Sequence, residues 1–437
     1  MLKRKIEQTL LEWKNTANRK PLIVKGCRQC GKTFSVLDFA HKNYKNVVYL
    51  NFFENPDYAS VFAGSLEVDN IVMMLTALLG STAVFEAGET VLVLDEIQDC
   101  PEARTALKFF RIDGRYDVIG TGSLLGVKGY GKEPKSIPVG SETVVDMYPL
   151  DFEEFLWANG ITDGIIDMLK KNMDTESPVP EALHNRMRQL LLQYTVGMPD
   201  AVQTFVDTKR MDEVLQIQRD IVRSYEDDMV KYAERKDKSK IKECFQSIPK
   251  QLSKENKKFQ YSVVKKGSTA SRYAGSLQWI EDAGIISRCY NLSITELPLD
   301  GNAKKDCFKV YMCDCGLFVS MLEDGTQYDI LQGNLYGYKG AIFENLIADI
   351  FNKMGRKLYY FHKDSGLEVD FLIRYHGECV PVEVKAHTGN TKSTKTILRH
   401  PEKYHVHQAI KLGDYNLGRN GQILTLPLYM AFLLKSF

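Results

Sequence analysis

Short apolar runs recur through the first third of the chain. "PLIVKG" (21–26), "NVVYLNF" (46–52), "VLVLDE" (91–96), "YDVIGTGS" (116–123) and "ETVVDMYPL" (142–150) each read as a buried strand. Helix-patterned stretches separate them, and polar residues collect at the strands' carboxyl ends. That alternation predicts an α/β, doubly wound parallel sheet with its ligand at the carboxyl edge. Ahead of it, "MLKRKIEQTLLEWK" (1–14) reads as an amphipathic helix with a basic start and no continuous apolar signal segment.

From about residue 151 the pattern turns helical. "NMDTESPVPEA" (172–182) is polar and proline-bearing, and "LLLQYTVGMPDAV" (190–202) carries a Gly-Met-Pro break between two helices. The charged run "ERKDKSKIKE" (234–243) reads as a solvated helix face or linker. Next, Tyr273, Leu277 and Ile280 share one helix face, Ala283-Gly284 ends that helix, and "IISRCYNL" (285–292) reads as a strand. Helix, glycine turn and strand suggest a winged helix, in which Lys265, Lys266 and Arg272 could meet phosphate. The last third holds an amphipathic helix, "GAIFENLIADIFNKMG" (340–355), then "KLYYFHKDSGLEVDFLI" (357–373), two strands joined at Asp364–Gly366, then the strand "CVPVEVKAH" (379–387). The expected organisation is a sheet domain (1–158), a helical lid (159–235), a winged-helix-like domain (236–300) and a carboxyl-terminal α/β domain (301–437).

Composition narrows the function classes. With 437 residues, 44% hydrophobic and 26% charged, the chain is an ordinary globular protein of several domains. Net charge is +1, so any nucleic-acid surface must be a local patch. The longest apolar runs, "IVMMLTALLG" and "YMAFLLKSF", fall short of the ~20 residues of a membrane span. Nine irregularly spaced cysteines suit a reducing cytoplasm. Cys27 and Cys30 form a C-x-x-C, and Cys313 and Cys315 lie near Cys307, but no second pair stands at zinc-like spacing. Spacing alone assigns these cysteines neither a metal nor a redox role.

The strongest chemistry lies in "KGCRQCGKTF", where Gly26, Gly31, Lys32 and Thr33 complete G-x-x-x-x-G-K-[ST]. Backbone N–H groups of such a loop wrap a β-phosphate, and glycine permits the close approach. Lys32 brings a point charge to the β/γ-phosphates, Thr33 a hydroxyl to Mg²⁺, and the loop's binding shell runs from Gly26 to Phe34. Asp95 suits the water-mediated Mg²⁺ position and Glu96 the base that orients attacking water. Thr121 or Ser123, at the tip of a third strand, can touch the γ-phosphate or that water. ATP and Mg²⁺ are therefore the expected ligands, and hydrolysis the expected reaction. No arginine finger is evident: Arg28 lies inside the loop, and Arg111 and Arg115 read as surface or ion-pair residues.

A second constellation lies near the carboxyl end. Glu344 stands among apolar helix residues, a costly place for an unpaired carboxylate. Asp370 follows in the second strand of the 357–373 pair, with Glu368 on the same face, and Glu383 and Lys385 share a face of the next strand. Helix-Glu, strand-Asp and strand E-x-K match the chemistry of metal-dependent phosphodiester cleavage. In that reading Glu344, Asp370 and Glu383 hold Mg²⁺ and Lys385 activates water or stabilises phosphate charge.

In the order of its blocks the chain resembles the prokaryotic AAA-superfamily ATPases that carry a restriction-endonuclease-like carboxyl-terminal domain. The blocks are "KPLIVKGCRQCGKT" (typically G-x-R-Q-x-G-K-T), "VYLNF", "LDEIQ", "GTGSLL", "YPLDFEEFL", "VGMPDAV", "KVYMCDCGLF", "GAIFENLIADI", "EVDFLI" and "VPVEVKA". The resemblance implies an AAA-like P-loop NTPase sheet binding ATP through Gly26, Lys32 and Thr33, Mg²⁺ linkage through Asp95, a sensor at Ser123, and a nuclease-like fold from Glu344 to Lys385. Many relatives place Gly-Arg before the "PL-F-EF" block, where this chain has Gly140-Ser141, so no finger is carried over. Two main readings follow, beside a third in which the chain is a transcriptional regulator that binds duplex DNA through the winged helix. In one, a cytoplasmic ATPase, able to act as an oligomer, drives or gates a nuclease acting on DNA or RNA. In the other, the nuclease-like domain is inert and the chain is a nucleotide-switched regulator of a protein partner.

Overall fold

The computed structural model describes residues 2–123, 140–194, 197–232, 237–254, 257–332, 339–385 and 391–435. Several residues of the quoted blocks, among them Leu124, Leu125, Thr195, Val196 and Ala386, lie outside the described residues, as do 233–236 of the charged run.

The first sheet contains β1 (Leu22–Lys25), β2 (Asn46–Asn51), β3 (Thr90–Asp95), β4 (Asp117–Gly122) and β5 (Thr143–Asp146). All pairings are parallel, in the order β2-β3-β4-β1-β5. Successive side chains of a strand point to opposite faces. Ile23, Leu92, Leu94 and Val118 accordingly join one buried cluster, while Leu22, Val24, Val91, Val93 and Ile119 join another. The second cluster continues through the helical region and both later sheets, so the modules share one core. Gly120, in β4, has no space for a side chain: a Cβ there would meet Ile23 Cδ1 at 2.6 Å. Register brings Asn51 beside Asp95 and Lys25 beside Gly122, so the polar strand ends align along one edge.

Helices follow at Phe152–Ala158, Asp163–Asp174, Glu181–Gln193, Pro199–Thr208 and Met211–Tyr232. The first is fixed by a capping box in which Asp151 and Glu154 exchange side-chain and backbone hydrogen bonds. Lys353 ties this region to the carboxyl-terminal part. Its buried ammonium donates to the Leu150 carbonyl (3.0 Å), Tyr194 Oη (3.1 Å) and Asp349 (3.0 Å).

The middle region runs helix Lys238–Leu252, short helix Tyr261–Val264, helix Ala270–Asp282, β6 (Ile286–Leu292) and β7 (Ala303–Met312). Tyr273, Leu277 and Ile280 are buried on one face as expected, and Gly284 turns the chain at φ +72°. β6 and β7 are antiparallel partners, so the boundary expected at 300/301 falls inside a hairpin. That hairpin also feeds the next sheet. β6 pairs with β8 (Leu358–His362), which pairs with β9 (Glu368–Val369). The third sheet has β10 (Phe371–Tyr375), β11 (Glu378–Lys385), β12 (Ala409–Gly413), β13 (Gly418–Asn420) and β14 (Ile423–Pro427), ordered β10-β11-β12-β14-β13. Helix Lys339–Lys353 packs against β7, β8 and β11. Asp370 does not sit within a strand as the sequence suggested. It occupies the bend between β9 and β10, where the chain passes from one sheet to the other. Among the described residues no helix is long and apolar enough to cross a membrane.

Candidate nucleotide site

β1 delivers the chain to Gly26, and helix Lys32–Asn43 carries it away. Gly26 is required here, because a Cβ would come within 2.0 Å of the Met147 carbonyl oxygen. Gln29 (φ +62°) and Gly31 (φ +93°) adopt left-handed backbone, which curls the loop into a concavity of the kind that binds anions. The Lys32 ammonium is buried in that concavity and donates to the carbonyls of Gly26 (3.1 Å) and Cys27 (2.9 Å). Phe34 is 61% exposed, so its side chain contributes little to the loop's interior.

The catalytic candidates converge at the ends of β3 and β4. Thr33 Oγ1 donates to Asp95, 3.0 Å from both carboxylate oxygens. Asp95, 2% exposed, also accepts from Tyr49 Oη (2.9 Å), Asn51 Nδ2 (3.3 Å), the Glu96 amide (3.1 Å) and the Thr121 hydroxyl. These donors hold the carboxylate in one orientation beside the Thr33 hydroxyl, an arrangement that fits a Mg²⁺ ion bound through both. Burial, with the Asp95 charge adding to it, raises the Tyr49 phenol, so it stays a donor. Glu96 takes a left-handed backbone (φ +51°), uncommon for a residue with a side chain. Its carboxylate accepts from Ser123 Oγ (3.3 Å) and from the Gln98 amide. Lys32, Thr33, Asp95, Glu96 and Ser123 are thus gathered in one place.

Tyr49, Asn51 and Gln98 went unrecognised in the sequence. Asn51 was findable: it ends an apolar strand, and parallel pairing sets it beside Asp95. Two distant elements brace the loop. Arg4 donates to the Cys30 and Tyr148 carbonyls (3.1 and 2.7 Å) and pairs with buried Glu154. From helix Met211–Tyr232, Asp228 pairs with Arg28, and Tyr225 Oη donates to the Arg28 carbonyl (2.9 Å). Arg115 pairs with Asp113 and Asp69, and Arg111 donates to the Gly140 carbonyl, as expected for surface arginines. A cavity of about 420 Å³ adjoins the loop, lined by Gly26, Cys27, Ser123, Tyr148, Gly284 and Cys313 among others.

The carboxyl-terminal constellation assembles differently. Glu344 accepts from Tyr311 Oη (3.0 Å) and pairs with Lys257 and, at 3.8 Å, Lys309. Burial opposes its charge, but the two lysines outweigh burial and lower its pKa. Lys309, 1% exposed, also meets Glu368 at 2.8 Å. Glu383 takes Lys385 (3.0 Å) and both the amide (3.2 Å) and hydroxyl of Thr394. Asp370 accepts the Val384 amide (2.8 Å), and burial, then the Glu344 charge, push its carboxyl up to about 7. Glu344, Asp370 and Glu383, expected to share a metal, take these lysine, hydroxyl and amide partners. Among the described residues no group of three or more His, Cys, Asp and Glu side chains is arranged to hold a metal ion.

Three family models match separate parts of the chain. Residues 18–156 match an AAA domain, residues 188–328 a domain of unknown function (DUF8612), and residues 339–429 a domain of unknown function (DUF4143). No curated protein matches the chain. Among solved structures, the Walker-type ATPase paby2304 of Pyrococcus abyssi is 14% identical, with 74% of this chain and 96% of that chain covered and a TM-score of 0.43. The Aeropyrum pernix ORC1 protein, solved in complex with DNA, is 14% identical over 76% of this chain and 92% of its own, with a TM-score of 0.30. AMPPCP-bound DnaA from Aquifex aeolicus is 12% identical over 64% and 86%, with a TM-score of 0.24. The phosphate loop, the parallel sheet and the family match together support an AAA-superfamily P-loop ATPase module over residues 18–156.

Proposed function

We propose that the chain is a Mg²⁺-dependent ATPase whose amino-terminal module acts on its carboxyl-terminal half. The observation that carries this reading is the convergence of Lys32, Thr33, Asp95, Glu96 and Ser123 at one sheet edge. Lys32 moves its donors from two loop carbonyls to phosphate oxygens. Thr33 and Asp95 would hold a Mg²⁺ ion, which would neutralise phosphate charge. Glu96, aimed by Ser123 and Gln98, orients the attacking water and takes its proton. Phosphate release by the full chain tests this. Lys32→Ala should lower it at least ~10²-fold, the scale of losing one transition-state charge contact. Glu96→Gln should lower kcat about as far while leaving nucleotide binding intact. Unchanged hydrolysis in both variants would sink the reading.

For the carboxyl-terminal half, the ion pairing of Glu344 and Glu383 favours the nucleotide-switched regulator over an active nuclease. Incubating the chain with DNA and RNA in Mg²⁺ or Mn²⁺ decides between them. Cleavage that disappears in Asp370→Ala and Lys385→Ala would restore the nuclease and remove the switch.

A further inference from the structure

Cys27 and Cys30 sit inside the phosphate loop, and the structure brings them together. Residues 27–30 form a tight turn completed by the left-handed Gln29, which is the spacing at which chain ends approach within about 7 Å. A disulfide needs Cα atoms about 4.4–6.8 Å apart. Cys30 Sγ lies under Gly26, 3.1 Å from where a Cβ would be, and donates to the Met147 carbonyl at 3.5 Å. Cys30 is fully buried, whereas Cys27 is 5% exposed and lines the cavity of about 420 Å³. The pair therefore has an inner member and an outer member, the outer one on the wall of the cavity.

Its surroundings favour a thiolate. Cys30 is lowered to about 6, chiefly by the hydrogen bond from Cys27, with the Lys32 and Arg4 charges adding against burial. The same sharing of one proton raises Cys27, so the first ionisation belongs to the pair.

We propose that Cys27 and Cys30 form a dithiol modification site that closes to a disulfide and shuts the phosphate loop to nucleotide. The co-reactant is a low-molecular-weight disulfide. As the proton shared by the pair passes to Cys30, the Cys27 sulfur attacks one sulfur of that disulfide, forming a mixed disulfide and releasing one small thiolate, which takes the proton from Cys30. The inner thiolate then attacks the protein sulfur of that mixed disulfide and displaces the second small thiolate. Two protein thiols are oxidised, one small disulfide is reduced to two thiols, and the protein's protons pass to those thiols. The new bond, about 2.05 Å long, fixes the backbone from Cys27 to Cys30. The bond would thereby set the width of the turn, and with it the spacing of the amides that would meet a phosphate. This inference rests on the ATP-site reading.

The test treats the full chain with oxidised glutathione and reads two independent signals. Peptide mapping without reductant should find Cys27 and Cys30 linked with the loss of two hydrogens. Binding of a fluorescent ATP analogue should weaken at least tenfold and return with dithiothreitol, and saturating ATP should slow the linkage. In Cys27→Ser and in Cys30→Ser, each compared with itself with and without oxidant, affinity should not respond. No Cys27–Cys30 linkage, or linkage with unchanged affinity, overturns the proposal, as does an oxidant response that persists in both variants. A reduced chain that forms the linkage but never binds nucleotide overturns the ATP-site reading, and the gating with it.

Discussion

Two regions of the molecule hold nearly the same chemical groups and treat them in opposite ways. Each has buried carboxylates, a buried lysine and a hydroxyl on a helix beside a sheet. In the phosphate-loop region, among the described residues, Lys32 donates to carbonyl oxygens and Asp95 accepts from hydroxyl and amide groups. Neutral partners satisfy geometry but leave the charges uncancelled. Around Glu344, lysines answer carboxylates directly: Lys257 and Lys309 on Glu344, Lys309 on Glu368, Lys385 on Glu383. On the proposed reading the first region takes its compensating charges from a ligand, whereas the second pairs its carboxylates with lysines of its own chain. A buried ion is tolerated only when something compensates it. The difference is whether the compensation comes from within the chain.

Removing one charge from each region should break this symmetry most visibly. Lys309→Met takes a buried cation from Glu344, which keeps Lys257, and from Glu368, which is 37% exposed, so the cost should fall below the ~3–5 kcal/mol of breaking a fully buried pair, at about 2 kcal/mol. The urea midpoint of the transition reporting on β6–β11 should fall accordingly. Asp95→Asn loses no ion pair, so its stability cost should be nearer ~1 kcal/mol, the worth of imperfect hydrogen bonds. Its penalty should appear in function, as a loss of phosphate release of at least ~10²-fold. Equal destabilisation of both variants would erase the contrast.

The contrast also has a pH signature. Asp370 has a folded pKa of about 7, raised by burial and by Glu344, against about 3.9 in an unfolded chain. Between those values the folded state binds the extra proton, so stability falls as pH rises through that window. Buried Asp349, also raised to about 7, acts in the same direction. Urea midpoints should therefore decline from pH 5 to pH 8, and Asp370→Asn should flatten part of that decline. Equal pH dependence in the variant and the parent would show that Asp370 ionises normally.

How much of this was legible in the sequence follows from locality. The phosphate loop is one contiguous segment, and its partners Asp95 and Ser123 end apolar runs, so strand pattern and motif located them together. Central parallel strands such as β3 are buried on both faces and read as unbroken apolar runs. The carboxyl-terminal cluster depends on Lys257 and Lys309, which precede Glu344 by long stretches and carry no motif of their own. Nothing near Glu344 in sequence announces two lysines, so its carboxylate suggested a metal. Asp370 was misplaced for a related reason. A run such as "EVDFLI" looks like one strand, while the chain bends at Asp370 because its two halves belong to different sheets. Pattern reports local burial, and it is silent on which sheet a strand joins.

The smallest effect tests whether neutral donors matter to Asp95 as orienting groups. Tyr49→Phe removes one hydroxyl, 2.9 Å from the carboxylate, and leaves the ring, Asn51, Thr33 and Thr121 in place. A single hydrogen bond of this kind contributes about 0.5–1.5 kcal/mol. Phosphate release should fall a few-fold, with a small rise in the Mg²⁺ concentration needed for half-maximal activity, because a less constrained carboxylate meets the ion in more than one pose. Stability should change little, since Asn51 and Thr121 still hold Asp95. A loss of activity as large as that of Asp95→Asn would instead make the Tyr49 hydroxyl a participant in the reaction. No change in the Mg²⁺ requirement would mean that Thr33, Asn51 and Thr121 alone fix the carboxylate.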